Sequence, residues 1–272
     1  MAVILGQDGD FPTYFLMESQ TFVPPRNGNV TIHVIGGGGS GAGGSNAYEH
    51  GGSAGGYCQK TTLAVTTAGS FTVVVGAGGL GTEGQVGLAG GNSTCAGTGL
   101  SATLTANGGG GGPKQNAAAN TGGTASNGDV NRTGGGTNRM AGGGAVGINA
   151  NGQFPTNNGG NSGAYGFAGQ CETLGDFWNG TRLGKIYGER RGYSGNVGGM
   201  DAENFSTRLD SGPLSGGAFA HQTANSISTG VMVGGKGGNP GGGGGDAYNG
   251  SQASRTFGGE GGGGMVIFSY KP

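Results

Sequence analysis

Charge is scarce in this sequence: 13 Lys and Arg and 14 Asp and Glu in 272 residues leave a formal net charge of −1. Nucleic-acid binding needs a basic stripe that displaces phosphate counterions, so that class of partner is excluded. Proline is sparse too, at 8 residues, and the charged, proline-rich composition of ordinary disordered chains is missing. The three cysteines, Cys58, Cys95 and Cys171, lie far apart with no CxxC pair. An odd count at such spacing argues against a disulfide framework or a zinc site. No apolar run approaches the ~20 residues of a membrane-spanning helix. The opening Met1–Asp10 has no basic stretch ahead of an apolar one, so the expectation is a chain folded in a cytosol and not membrane-embedded.

What the chain has instead is glycine, 74 residues of it. Glycine-rich chains ordinarily behave as flexible linkers, and that is the alternative a folded reading must displace. Residues 1–107 carry strand signals at Ala2–Leu5, Thr13–Met17, Asn29–Ile35, Tyr57–Thr66, Phe71–Val75 and Ser101–Ala106. Alternation is clear in Asn29-Val30-Thr31-Ile32-His33-Val34, the period of a half-buried strand. Pro24–Gly28 is turn chemistry, and Thr67–Ser70 reads as a hairpin loop. No stretch offers an amphipathic helix.

From Gly108 onward, glycine blocks alternate with polar and aromatic segments. Inside the blocks glycine recurs every third residue, at Gly163, Gly166 and Gly169; at Gly192, Gly195 and Gly198; at Gly235, Gly238, Gly241 and Gly244; and at Gly258, Gly261 and Gly264. Three residues per turn is the period of the polyproline II helix, which has no internal hydrogen bonds and turns its backbone groups outward. Glycine lets such helices pack closely enough to bond to one another, satisfying groups that cannot be buried unpaired. The expected fold is mainly β plus irregular structure. An N-terminal β domain (1–107) is followed by a packed bundle of polyglycine II helices with protruding loops (108–264). Residues 265–272 form a strand, Met265–Tyr270, returning to the β domain. Collagen is excluded because the period breaks after a few repeats and proline is scarce.

These features together resemble a known family. Val34–Gly39, Phe71–Gly79 and Ala106–Gly109 are similar to glycine-rich phage tail domains. The alternation of glycine islands with unlike segments resembles the tip adhesin of the long tail fibre in T-even-type bacteriophages, most nearly those of Salmonella phages. The resemblance spans essentially the whole chain. It implies a virion protein, made in the host bacterial cytoplasm, whose N-terminal region caps a trimeric tail fibre protein. It implies recognition of a Gram-negative outer-membrane protein, with lipopolysaccharide implicated in some members, through the segments between islands.

Within those segments the residue types favoured at binding hot spots are Phe154, Phe177, Trp178, Arg182, Tyr187, Arg190, Tyr193, Phe205 and Arg208. The same rings could equally cover the bundle or pack loop on loop. Near the start, Phe11, Tyr14, Phe15, Met17 and Phe22 are either core or a fibre-docking surface.

Other motifs carry little. Gly230–Gly237 nearly spells a P-loop, but Gly237 replaces the magnesium-binding Ser or Thr and no helix follows. Asp8-Gly-Asp10 reads as a surface turn and His33 as a packed strand residue. No Ser-His-Asp or Cys-His grouping emerges, so no catalytic residue, metal or cofactor is expected. A passive glycine-rich coat protein and an ice-binding polyglycine bundle remain as alternatives; long, unlike loops argue against both.

Overall fold

The computed structural model describes residues 2–5, 12–44, 49–114, 118, 120–137, 142–143, 146, 151–152, 220–222, 231–238, 240–249 and 255–271. Among them there are strands but no helix, as the mainly-β expectation requires. A six-stranded sheet runs in the order β1 (Ala2–Leu5), β2 (Thr13–Leu16), β16 (Met265–Tyr270), β4 (Gly28–Ile35), β6 (Tyr57–Val65) and β11 (Val130–Arg132). A second sheet runs β10 (Ala125–Ser126), β9 (Leu104–Ala106), β8 (Ser93–Gly97), β7 (Phe71–Val74) and β3 (Gln20–Phe22). Short pairings join β5 (Gly43–Gly44), β12 (Ala220–Gln222) and β14 (Ala247–Asn249), and separately β13 (Val231–Val233) and β15 (Arg255–Phe257).

The C-terminal strand does return to the first sheet, and it lies inside it. Strand β16 pairs antiparallel with β2 on one side and with β4 on the other. Both faces of the strand are also covered, which explains the apolar run Met265–Phe268, since such a strand does not alternate. Val266, Phe268 and Tyr270 join Tyr14, Leu16, Val30, Ile32 and Val34 in a core closed by Phe71, Val73, Cys95 and Leu104 of the second sheet. Met265 and Ile267 face the other way, into a smaller cluster with Phe15, Ile35, Tyr57 and Val146. Strand β7 is covered on one face only, so Phe71 and Val73 are buried while Thr72 and Val74 are exposed.

Two local expectations change. The Thr67–Ser70 turn closes with Gly69 N–H donating to Thr66 O at 2.9 Å, but it joins no hairpin. It carries the chain from β6 in one sheet to β7 in the other. The strand expected at Ser101–Ala106 begins at Leu104, after a turn in which Gly99 takes φ +84°, a left-handed conformation that disfavours other residues.

Beyond the sheets the glycine segments bond to one another, backbone to backbone. The N–H groups of Gly36, Gly39 and Ala42 donate to the carbonyls of Gly56, Ser53 and His50. Those of Gly37, Ser40 and Gly43 donate to Gly91, Leu88 and Gln85, and those of Gly38 and Gly41 to Gly262 and Gly259. Successive N–H groups thus address three different neighbours, each neighbour met every third residue. The carbonyls of the same segment accept from others: Gly37 and Ser40 from Gly109 and Gly112, Gly38 from Gly79, and Gly39 and Ala42 from Gly244 and Ala247. Segment 50–56 repeats the arrangement, its N–H groups donating to Pro113, Gly110 and Asn107, to Gly244 and Gly241, and to Gly135.

Sterics dictate which residues occupy these places. A Cβ added at Gly38, Gly41 or Gly55 would lie closer than 3.0 Å to the carbonyl oxygens of Gly242, Gly245 and Gly36 respectively. Between such positions the lattice admits small side chains, and Ser40, Ala42, Ser53 and Ala54 are all fully buried in it. Ser40 Oγ accepts from Leu88 N at 2.7 Å and Ser53 Oγ donates to Gly110 O at 3.1 Å. Gly258, Gly261 and Gly264, picked out by their spacing, face Gly41, Gly38 and Ile35. Gly244 faces Gly259, and Gly241 instead turns the chain after Pro240 at φ +77°. Gly163, Gly166, Gly169, Gly192, Gly195 and Gly198 lie outside the described residues.

Candidate functional site

Chain directions place the connections between glycine segments. Segment 36–44 leaves the six-stranded sheet at the end of β4, and 50–56 runs antiparallel to it back into β6. Segments 109–112 and 242–247 run parallel to 36–44, and 85–91 and 259–262 run antiparallel. Residues 44, 49, 82–85, 113, 249 and 255 therefore collect at one end of the lattice, opposite the two sheets. The described ends of several inter-glycine segments thus share one face of the molecule.

At that end the geometry is held partly by side chains. Arg255 makes a two-pronged ion pair with Glu83, Nε to Oε1 and Nη2 to Oε2 both at 2.7 Å. The guanidinium also lies 5.1 Å from the Phe257 ring centre. The pair holds the Glu83 carboxyl below its ordinary range, though such exposed pairs contribute little stability. Glu49, His50, Asp246 and Thr256 are buried close by. The Asp246 carboxyl is held well above the usual range, by burial first and by the negative charge of Glu49 second; its own main-chain N–H pulls weakly the other way.

The expected site residues fall in two groups. Phe154, Phe177, Trp178, Arg182, Tyr187, Arg190, Tyr193, Phe205 and Arg208 lie outside the described residues, as does Phe11. Tyr14, Phe15 and Phe22 are buried, Tyr14 and Phe22 in the large core and Phe15 in the small one. Phe22 stacks on Phe268 at 4.3 Å between ring centres. Their rings therefore serve packing within this chain rather than its surface. Met17 is the exposed member, at 45%, and it lines a cavity of about 350 Å³ with Leu80, Met265 and the glycines Gly78, Gly79, Gly261, Gly263 and Gly264. Leu80, Val86 and Leu88 are exposed as well, and the sequence carries no signal that separates them from core residues.

Among the described residues, the two cysteines and His33 are quenched. Cys58 and Cys95 are buried free thiols, each pushed up to about 12 by desolvation, far from the thiolate range that reactivity needs. His33 is hydrogen bonded through Nδ1 to Tyr57 Oη at 2.7 Å, and burial pushes it down to about 3, helped by the charge of Lys271. Among the described residues no three His, Cys, Asp or Glu side chains converge as a metal site. No described helix is long and apolar enough to cross a membrane.

A chain of two small sheets continued into a close-packed glycine lattice is a glycine-rich domain. The family model of that description, the glycine-rich domain, matches residues 17–271, and the chain belongs to that family. No curated protein matches it.

Proposed function

We propose that the chain is a receptor-binding adhesin at the distal tip of a phage long tail fibre, of the kind found in T-even-type and in particular Salmonella phages. In this reading the glycine segments are polyglycine II helices. Support comes from the N–H groups of 36–43, which reach three neighbours in strict rotation as a threefold helix requires. The observation that carries the function is the gathering of segment ends on the face opposite the sheets. Loops on a rigid scaffold are where recognition residues concentrate. A lattice that fixes both ends of a loop lowers the entropy lost when the loop meets its partner.

The sheet end then faces the trimeric fibre protein. Because Tyr14, Phe15 and Phe22 are core residues, docking falls to Met17 and its exposed neighbour across the cavity, Leu80. The opposite face meets an outer-membrane protein of a Gram-negative host, with lipopolysaccharide as a second surface component. Binding involves no covalent chemistry. Several fibres on one particle multiply weak individual affinities by raising effective concentration.

The test is binding of the purified protein, alone or on the fibre tip, to intact Gram-negative cells. A variant with Gln170–Tyr187 replaced by a Gly-Ser link is expected to keep its circular-dichroism spectrum and lose cell binding by at least tenfold. Unchanged binding removes Phe177, Trp178 and Arg182 from the receptor surface. Failure of the intact protein to bind any strain favours a passive structural role.

A further inference from the structure

Glu49 and Asp246 are two acids buried together in a protein with few charges. Asp246 is 1% exposed, and no other residue donates a hydrogen bond to either of its carboxyl oxygens. It precedes Ala247, which pairs with Gly43 in the parallel β14–β5 ladder and whose N–H donates to Ala42 O at 3.1 Å. Glu49 is 2% exposed, with Oε1 lying where a Cβ on Gly44 would fall. The two acids therefore flank the same stretch, 42–44, near enough for Asp246 to feel the charge of Glu49. A buried carboxylate without a partner is strongly disfavoured, and the charge of Glu49 beside Asp246 raises the cost further.

We propose that Glu49 and Asp246 form a binding site for one hard divalent cation of the calcium class, at the end of the glycine lattice opposite the sheets. A double positive charge offsets both carboxylates at once. Calcium takes six to eight oxygens and accepts carboxylates and main-chain carbonyls together in irregular geometry. The lattice is rich in such carbonyls. Gly44 O, for example, accepts a bond from buried Thr256 Oγ1 at 3.2 Å and retains a second lone pair. Sulfur and imidazole do not complete the set, since no third His, Cys, Asp or Glu joins the pair among the described residues. That favours a hard ion over zinc. Magnesium keeps most of its water shell and fits a closed site less well. The ion ties segment 42–44 to 246–249, two stretches remote in sequence.

The experiment uses the full chain stripped with EDTA and titrated with calcium chloride by calorimetry, with magnesium chloride in parallel. One calcium per chain is expected, with a melting temperature higher in calcium than in EDTA and a smaller shift in magnesium. Asp246→Asn and Glu49→Gln should each weaken calcium binding at least tenfold and remove the shift. Three results would overturn the proposal: no calcium binding at millimolar concentration, variants that bind as tightly as the parent, or a melting temperature that follows pH but ignores calcium. The last would mean that the two carboxyls share a proton. Should Asp246→Asn fail to fold, the parent titration and Glu49→Gln still decide.

Discussion

At the scale of single residues, the lattice turns on what glycine lacks. Gly38 has the carbonyl of Gly242 where a methyl would stand, and the obstacle is backbone, which cannot rotate aside. Gly38→Ala is therefore expected to cost about 3 kcal/mol, at the upper end for overpacking, measured as a lowered denaturation midpoint. Gly84→Ala is the useful contrast. Its φ is +60° with nothing within 4 Å of the added carbon, so the cost is left-handed strain alone, about 1 kcal/mol. His33 makes a separate prediction through pH. Its folded pKa of about 3 lies below the ordinary 6.5, so below pH 6.5 the unfolded chain takes up the proton first. The stability it contributes is complete above 6.5 and is lost as pH falls, by up to about 1.4 kcal/mol per pH unit. Asp129, held down at about 2 by bonds from Lys60 and Thr61, loses its contribution only below its ordinary 3.8. Between pH 4 and 6.5 the raised Asp246 carboxyl acts with the opposite sign, so the histidine's share is the difference in slope between the parent and His33→Asn.

Residue chemistry also shows why the candidate site was only partly legible. Tyr14 and Phe22 have the composition of a docking surface and the positions of a core. The clue lay in the strand: Tyr14 and Leu16 face one cluster and Phe15 the other, as in any strand covered on both sides. The acids Glu49 and Asp246 meet because glycine segments from opposite ends of the sequence lie side by side. No local pattern announces that.

At the scale of elements, strand β16 ties the end of the chain to its beginning. Phe268 is fully buried, stacked on Phe22 at 4.3 Å and edge-on to Phe71 at 5.2 Å. Phe268→Ala is expected to cost about 3–5 kcal/mol, read by chemical denaturation. Because β16 continues directly from segment 258–264, glycine segments and sheets should unfold in one transition. A separate early transition of the glycine segments would show the anchoring to be weak. Legibility varied with the residues at this scale as well. Met265–Tyr270 stood out because six nearly apolar residues follow a glycine block. Strand β8, Ser-Thr-Cys-Ala-Gly, did not, because Ser93 and Cys95 are small and carry almost no hydrophobic signal although both are fully buried. Strands β10 and β11 are two and three residues long, too short for alternation to register.

At the scale of the whole molecule, two opposing terms of similar size set the balance. Ordering each glycine backbone costs roughly 1–2 kcal/mol, and each backbone hydrogen bond returns about 1 kcal/mol net. An isolated glycine segment would not order itself. Packed together and held at the sheet end by a hydrophobic core, the segments can, and the result is a rigid body built with few large side chains. The period of three was visible in the sequence; which segment lies beside which was not, because glycine has no side chain to specify a neighbour. The adhesion proposed for loops carried on this body depends on the lattice, and amide hydrogen exchange of residues 36–44 and 50–56 tests the lattice most directly. The account predicts protection comparable to that of strand β4, with N–H groups such as those of Gly38, Gly39 and Ser53 exchanging only on global unfolding. Exchange of these glycines at the rate of an open chain, while β4 stays protected, would contradict it.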